Sequence, residues 1–116
     1  MSKRPETLLV EDIWEAIGKI ERFTKGIEAD KFLRDEKTAD AVVRNLEVIG
    51  EAVTRLPAPF RQQHLHVEWG KIIGLRHRIV HEYFGVDLHI IWQIVNDDIP
   101  SFKKDIARLR KEMIEG

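Results

Sequence analysis

The chain contains no cysteine. That excludes a disulfide framework and any thiolate metal site. It has no long hydrophobic run. The longest apolar stretches are a few residues, far short of the roughly 20 needed to span a bilayer. The first residues, Met1-Ser2-Lys3-Arg4-Pro5-Glu6, lack the apolar centre of a signal peptide. A cytoplasmic location is the expectation that follows. Charge of one sign is not in excess either. The formal net charge is -1, so no global basic field draws the chain to nucleic acid. Any binding to RNA must then use a local cluster, such as Lys71, Arg76 and Arg78, or a cleft made by two subunits. Low-complexity segments, internal repeats and long linkers are all absent. No segment alternates apolar and polar residues with period two, so strands are not expected.

What is present fits one soluble helical domain over residues 1–116. Hydrophobic residues make up 43% and charged residues 34%, a balance in which each helix keeps a solvated face. Apolar residues recur every three or four positions in four segments. The first runs from about Glu6 to Lys25, with Leu9, Ile13, Ile17, Ile20, Phe23 and Ile27 as its stripe and Gly26 as its stop. The second runs from about Lys37 to Leu56, with Ala39, Val42, Leu46, Ile49, Val53 and Leu56. Pro57-Ala58-Pro59 ends it, and a short helical turn is expected near Phe60 to Gln63. The third runs from about Val67 to Phe84, carrying Trp69, Ile72, Ile73, Ile79, Val80 and Phe84. Gly70 and Gly74 share a face of it, which predicts close packing against another backbone. The fourth begins at Asp87, a good N-cap, and carries Leu88, Ile91, Val95, Ile99, Phe102, Ile106, Leu109 and Met113. Pro100 falls inside it and predicts a kink, or a break near Asp97-Asp98. The fold class is all-α, an up-and-down bundle of four to five helices.

Chemistry concentrates in Arg76-His77-Arg78-Ile79-Val80-His81-Glu82-Tyr83. This run holds an always-charged fork donor, a group that titrates near pH 6.5, and the chain's only tyrosine. A histidine near neutral pH can take a proton from a ribose 2′-hydroxyl or give one to a leaving 5′-oxygen. An arginine can hold the phosphate bidentately and stabilise the added charge of the transition state. Neither role needs a metal, and no cofactor is expected. On a straight helix Arg76 and His81 are about 140° apart, from 3.6 residues per turn. One helix alone does not stack them. Two copies across a two-fold axis would put both pairs in one cleft, so the spacing favours a dimeric site.

The same residues have plainer readings. Helical arginines and histidines are usually solvated or fixed by carboxylates. Arg78 and Glu82 read as an i,i+4 surface pair. Glu47 and Glu51 read as solvent-facing, though one of them could hold a motif arginine. His77 and His81 have helical metal-ligand spacing, but HExxH is absent, and His64, His66 and His89 could join them only through tertiary contact. Trp14, Trp69 and Trp92 read as core or interface residues rather than base-stacking platforms.

Arg76-x4-His81-x-Tyr83 resembles the RX4HXY motif of the HepT-like toxins of the HEPN superfamily. The likeness extends to Ala41 through Ala52, with its Gly50-Glu51-Ala52. It also takes in Trp69, Ile72-Ile73-Gly74-Leu75, Asp87, Trp92 and Pro100, and it spans about residues 6 to 112. The resemblance implies a helical homodimer with the motif in the cleft between subunits. It implies a metal-independent endoribonuclease that leaves 2′,3′-cyclic phosphate ends and acts as the toxin of a type VII toxin–antitoxin pair. The implied partners are an RNA substrate and an MNT-type nucleotidyltransferase antitoxin that silences the toxin by attaching AMP to the motif tyrosine. Carried over, Arg76 holds phosphate, His81 transfers protons, His77 assists, and Tyr83 is the modification target. The alternatives are a non-catalytic nucleotide- or partner-binding module of the same superfamily, and a structural dimer in which Arg76 pairs with a carboxylate such as Glu51.

Overall fold

The computed structural model describes residues 4–79 and 87–116, with Arg76 described by its backbone alone. Seven α-helices occur there: α1 (Glu6–Thr24), α2 (Ala29–Arg34), α3 (Glu36–Arg55), α4 (Ala58–Gln62), α5 (Trp69–Ile79), α6 (Leu88–Gln93) and α7 (Ile99–Glu115). A π-helical turn, Ile94–Asp98, joins α6 to α7. No strand occurs among the described residues, and the all-α bundle is the fold. No described helix is long and apolar enough to cross a membrane.

The ends of the helices follow local chemistry. Gly26 stops α1 by taking φ +73°, a conformation that costs glycine nothing. Asp35 caps α3: its carboxylate accepts from the Thr38 amide at 3.0 Å and from the Thr38 hydroxyl at 2.7 Å. Pro57 precedes α4, the turn expected near Phe60. Asp87 caps α6, as its sequence position predicts, by accepting from the His89 amide at 2.9 Å. α2 was not legible as a helix. At six residues it is too short to hold itself together, and it stands because Phe32 is fully buried against the Trp92 ring, centroids 4.8 Å apart.

Most of the core comes from the predicted stripes, with Phe32, Leu75 and Ile94 added, while Ile27, Ile73, Leu88 and Met113 are only partly buried. Ala39, Val42, Leu46, Ile49, Val53 and Leu56 of the second segment are all buried. So are Leu9, Ile13, Ile17 and Ile20 of α1 and Ile91, Val95, Ile99, Phe102, Ile106 and Leu109 of the last segment. Phe23 departs from its stripe: it is 40% exposed, one residue before α1 ends at Thr24. α1 packs on α3 and α7, and α3 packs on α5. Arg110 ties α7 to α1. It grips Glu11 through two bonds of 2.6 and 2.9 Å and lies over the Trp14 ring, 4.6 Å from its centroid.

Among the described residues, three carboxyl groups are held below the ordinary carboxylate range. For Glu11 the cause is the Arg110 fork, and for Asp35 the Thr38 hydroxyl and amide. Partial desolvation pushes Glu112 up, but the His66 charge, the His64 ring and Arg108 outweigh it. A carboxyl with a lowered folded pKa stabilises the fold above its unfolded value, and that stabilisation is lost as pH falls through the folded one. All three groups are largely solvated, so each effect is screened. Thermal unfolding is expected to show a midpoint that falls below about pH 4. A midpoint unchanged down to about pH 2 would contradict these assignments.

Candidate active site

Of the residues singled out in the sequence, Lys71, Arg76, His77 and Arg78 fall on α5. Its core face is Trp69, Ile72, Leu75 and Ile79, all buried. Trp69 starts the helix from a fixed point: its indole N–H donates to the Arg61 and His64 carbonyls, both at 3.0 Å. α3 backs α5 with the segment that carries Gly50-Glu51-Ala52. Gly50 and Ala52 are buried there, and Glu51 faces outward with Arg55, 3.1 Å away. Glu47 is exposed one turn earlier, as expected.

Of the four site residues, His77 is exposed on α5 and Arg76 is placed by its backbone within α5. His81 and Tyr83 lie outside the described residues, as do Val80 and Phe84, so the predicted helical end at Phe84 does too.

One expectation for α5 is corrected, and the Arg78–Glu82 pair involves a residue outside the described ones. A Cβ at Gly70 or Gly74 would meet no atom within 4 Å. The helix turns these glycines away from its buried face, so no backbone among the described residues comes close. Arg78 has a described partner other than its i+4 neighbour, which lies outside the described residues. Its Nη1 donates to Asp98 Oδ2 at 2.8 Å. Lys71 Nζ stands 3.8 Å from the other oxygen of the same carboxylate. Two members of the expected basic cluster, Lys71 and Arg78, therefore meet on Asp98. Position 76 lies about 160° round the helix from position 78, from 3.6 residues per turn.

Asp98 is the residue that the sequence reading passed over. It is 7% exposed and sits in the π-turn among buried Ile94, Val95 and Ile99. A buried carboxylate needs partners, and α5 supplies both. The signal was available: Asp98 follows Ile94 by four and Val95 by three, so it occupies an apolar-face position. The neighbouring Pro100 drew attention to a break instead.

The remaining histidines have other places. His64 Nδ1 and His66 Nε2 lie 3.4 and 3.8 Å from the two Glu112 oxygens, linking the segment before α5 to the end of α7. Among the described residues no group of three histidines or carboxylates could hold a metal ion. Trp14 and Trp92 are partly buried against the core and Trp69 is within it, as expected of packing residues.

A compact helical bundle with a histidine- and arginine-bearing helix set against a Gly-Glu-Ala helix defines the class. Residues 13–109 match the family described as Ribonuclease HepT-like. The chain belongs to this HepT-like family of HEPN-type ribonucleases. It is 44% identical over 109 residues to "Probable ribonuclease HepT" of Thermococcus cleftensis, an alignment covering 94% of this chain and 99% of that one. It is 42% identical over 111 residues to a Caldanaerobacter subterraneus protein provisionally named as an RNase, covering 95% and 98%. A Methanocaldococcus jannaschii protein, also provisionally named as an RNase, is 41% identical over 116 residues, covering 100% and 95%. No solved structure matches the chain significantly.

Proposed function

We propose that this protein is a metal-independent endoribonuclease that acts as the toxin of a type VII toxin–antitoxin pair, with Arg76 and His81 as its catalytic residues. The observation that carries the reading is the Arg76-x4-His81-x-Tyr83 motif in a chain that belongs to the HepT-like family over most of its length. The whole chain, 1–116, is one HEPN-like domain in this reading, and it works in the cytoplasm.

The chemistry is phosphodiester transfer to the neighbouring 2′-oxygen. Arg76 holds the scissile phosphate through its fork and stabilises the charge that grows on it. His81 moves the proton, as base at the 2′-hydroxyl or acid at the 5′-oxygen. His77, exposed beside them in sequence, assists. The bond to the 5′-oxygen breaks as the bond to the 2′-oxygen forms, which leaves a 2′,3′-cyclic phosphate and a free 5′-hydroxyl. The 140° between helical positions five apart favours a site completed by a second copy, so a homodimer is part of the proposal.

Tyr83 is the control point. An MNT-type nucleotidyltransferase antitoxin joins AMP to its hydroxyl and releases pyrophosphate from ATP. A phosphodiester charge and a base then occupy the RNA cleft, which repels and excludes substrate. The test is one experiment on purified protein whose Tyr83 is first checked by mass. Unmodified protein is expected to cut labelled RNA in EDTA and leave cyclic phosphate ends. Exposure to antitoxin and ATP is expected to add AMP to Tyr83 and stop the cutting. No cleavage by unmodified, dimeric protein would shift the assignment to a non-catalytic binding module. AMP on serine or threonine, with Tyr83 untouched, would remove the proposed control.

A further inference from the structure

The Asp98 clasp bears directly on how the motif helix is held. α5 contributes two cations to one flank, Lys71 and Arg78, seven residues and about two turns apart. Both end on a single carboxylate from another element, at 3.8 and 2.8 Å. The Asp98 side chain is 10% exposed, whereas those of Lys71 and Arg78 are 50% and 37% exposed. The anion is thus the fixed, buried member and the cations reach down to it. Such an arrangement fixes the rotation of α5 about its own axis, because the apolar stripe alone tolerates small turns whereas a 2.8 Å bond between charged groups does not.

The element that supplies the anion is itself built for placement. Pro100 has no amide N–H, and its ring crowds the carbonyl four residues back, that of Asn96. The helix widens just before it: the Ile99 amide donates to the Ile94 carbonyl, a five-residue step. The Asn96 side chain supplements the strained ladder by donating to the Trp92 carbonyl at 2.8 Å. The widened turn carries Asp98 among buried Ile94, Val95 and Ile99. Widened turns of this kind recur at functional sites.

We infer that Asp98 is a positioning residue for the motif helix: through Arg78 and Lys71 it sets the rotation of α5, the helix whose backbone carries Arg76 and His77. Arg78 lies two residues after Arg76 and three before His81 in sequence. A rotation of α5 therefore displaces the backbone that carries Arg76, the group proposed to hold phosphate, and His77. Displacements of about 1 Å in such groups cost on the order of a hundredfold in rate. The inference rests on the ribonuclease reading for its kinetic consequence and on the clasp geometry alone for its structural one.

The experiment uses full-length protein carrying Asp98→Ala, Asp98→Asn, Arg78→Met, or Asp98→Ala with Arg78→Met. Each is assayed well below its own unfolding midpoint, beside wild type and His81→Ala. Asp98→Ala and Arg78→Met are expected to lower kcat at least tenfold while KM for RNA changes less than about threefold. Asp98→Asn keeps the volume and an acceptor and is expected to recover part of the loss. The double variant is expected to be no slower than the slower single one, because both remove the same contact.

A second readout is independent of cleavage. NMR of the histidine rings is expected to show shifted His77 and His81 resonances in folded Asp98→Ala protein, with His64 and His66 unmoved. If Asp98→Ala merely loses stability, and its folded molecules keep wild-type kcat and wild-type His81 resonances, the inference is overturned. If wild type itself does not cut RNA, the ribonuclease reading fails, and the ring resonances still decide whether Asp98 places the motif helix.

Discussion

Replacing His81 with alanine is expected to remove RNA cleavage. Positioned proton transfer contributes about 10²–10⁴ in rate, so the loss should exceed a hundredfold even if water partly replaces the imidazole. Arg76→Ala is expected to cost about 10²–10³, the scale of losing one preorganised donor to a developing charge. Arg76→Lys should recover only a small part of it, because the ammonium keeps the charge and loses the planar fork. The double variant should be little worse than the worse single one, since the two groups act on one transition state. Circular dichroism and the unfolding midpoint report whether each variant is folded, and gel filtration reports whether it is dimeric. Retained cleavage by folded His81→Ala protein would sink the assignment of proton transfer to this residue. A variant of Arg76 that unfolds, or that splits the proposed dimer, would show that the arginine serves as a structural pair instead.

The sequence carried much of this fold because its helices are long and their apolar faces regular. The segment from Ala39 to Leu56 places every predicted stripe residue in the core. Asp87 caps a helix because an aspartate before an apolar run has one obvious use. What stayed hidden has physical reasons. Asp98 reads as part of a polar, proline-adjacent break, and only the tertiary meeting of α5 with the π-turn gives its carboxylate two cations. Gly70 and Gly74 signal a close approach that the core face of α5 turns away from, since Ile72, Leu75 and Ile79 set which side is buried. Arg78 reads as half of a local pair because i,i+4 spacing is visible in a sequence and a partner twenty residues on is not. The proposed catalytic motif is the reverse case: residue type and spacing suggest it, and His81 and Tyr83 lie outside the described residues.

The shortest helix gives the second large effect. α2 has six residues, and its fully buried side chain is Phe32. Leu33 packs only partly against the core. The Phe32 ring lies against Trp92 of α6, and α2 also touches α3, so one aromatic group joins three elements. Phe32→Ala deletes that ring from a site that cannot collapse without moving α2 itself. Phe→Ala changes in cores cost about 3–5 kcal/mol, and for a domain of this size each kcal/mol is worth roughly 4 °C in Tm. A fall of about 12–20 °C is therefore the expected result if α2 unfolds only with the whole bundle. A smaller fall, with loss of near-ultraviolet dichroism from the Trp92 environment and fast amide exchange confined to residues 29–34, would mean that α2 detaches alone. A Tm within about 2 °C of wild type, with Trp92 undisturbed, would contradict the packing role given to Phe32. The two first outcomes differ in consequence. Trp92 sits on α6, two residues before the π-turn that presents Asp98. A loosened α6 therefore weakens the hold on Arg78, and Phe32→Ala should slow RNA cleavage at temperatures where the bundle is still folded.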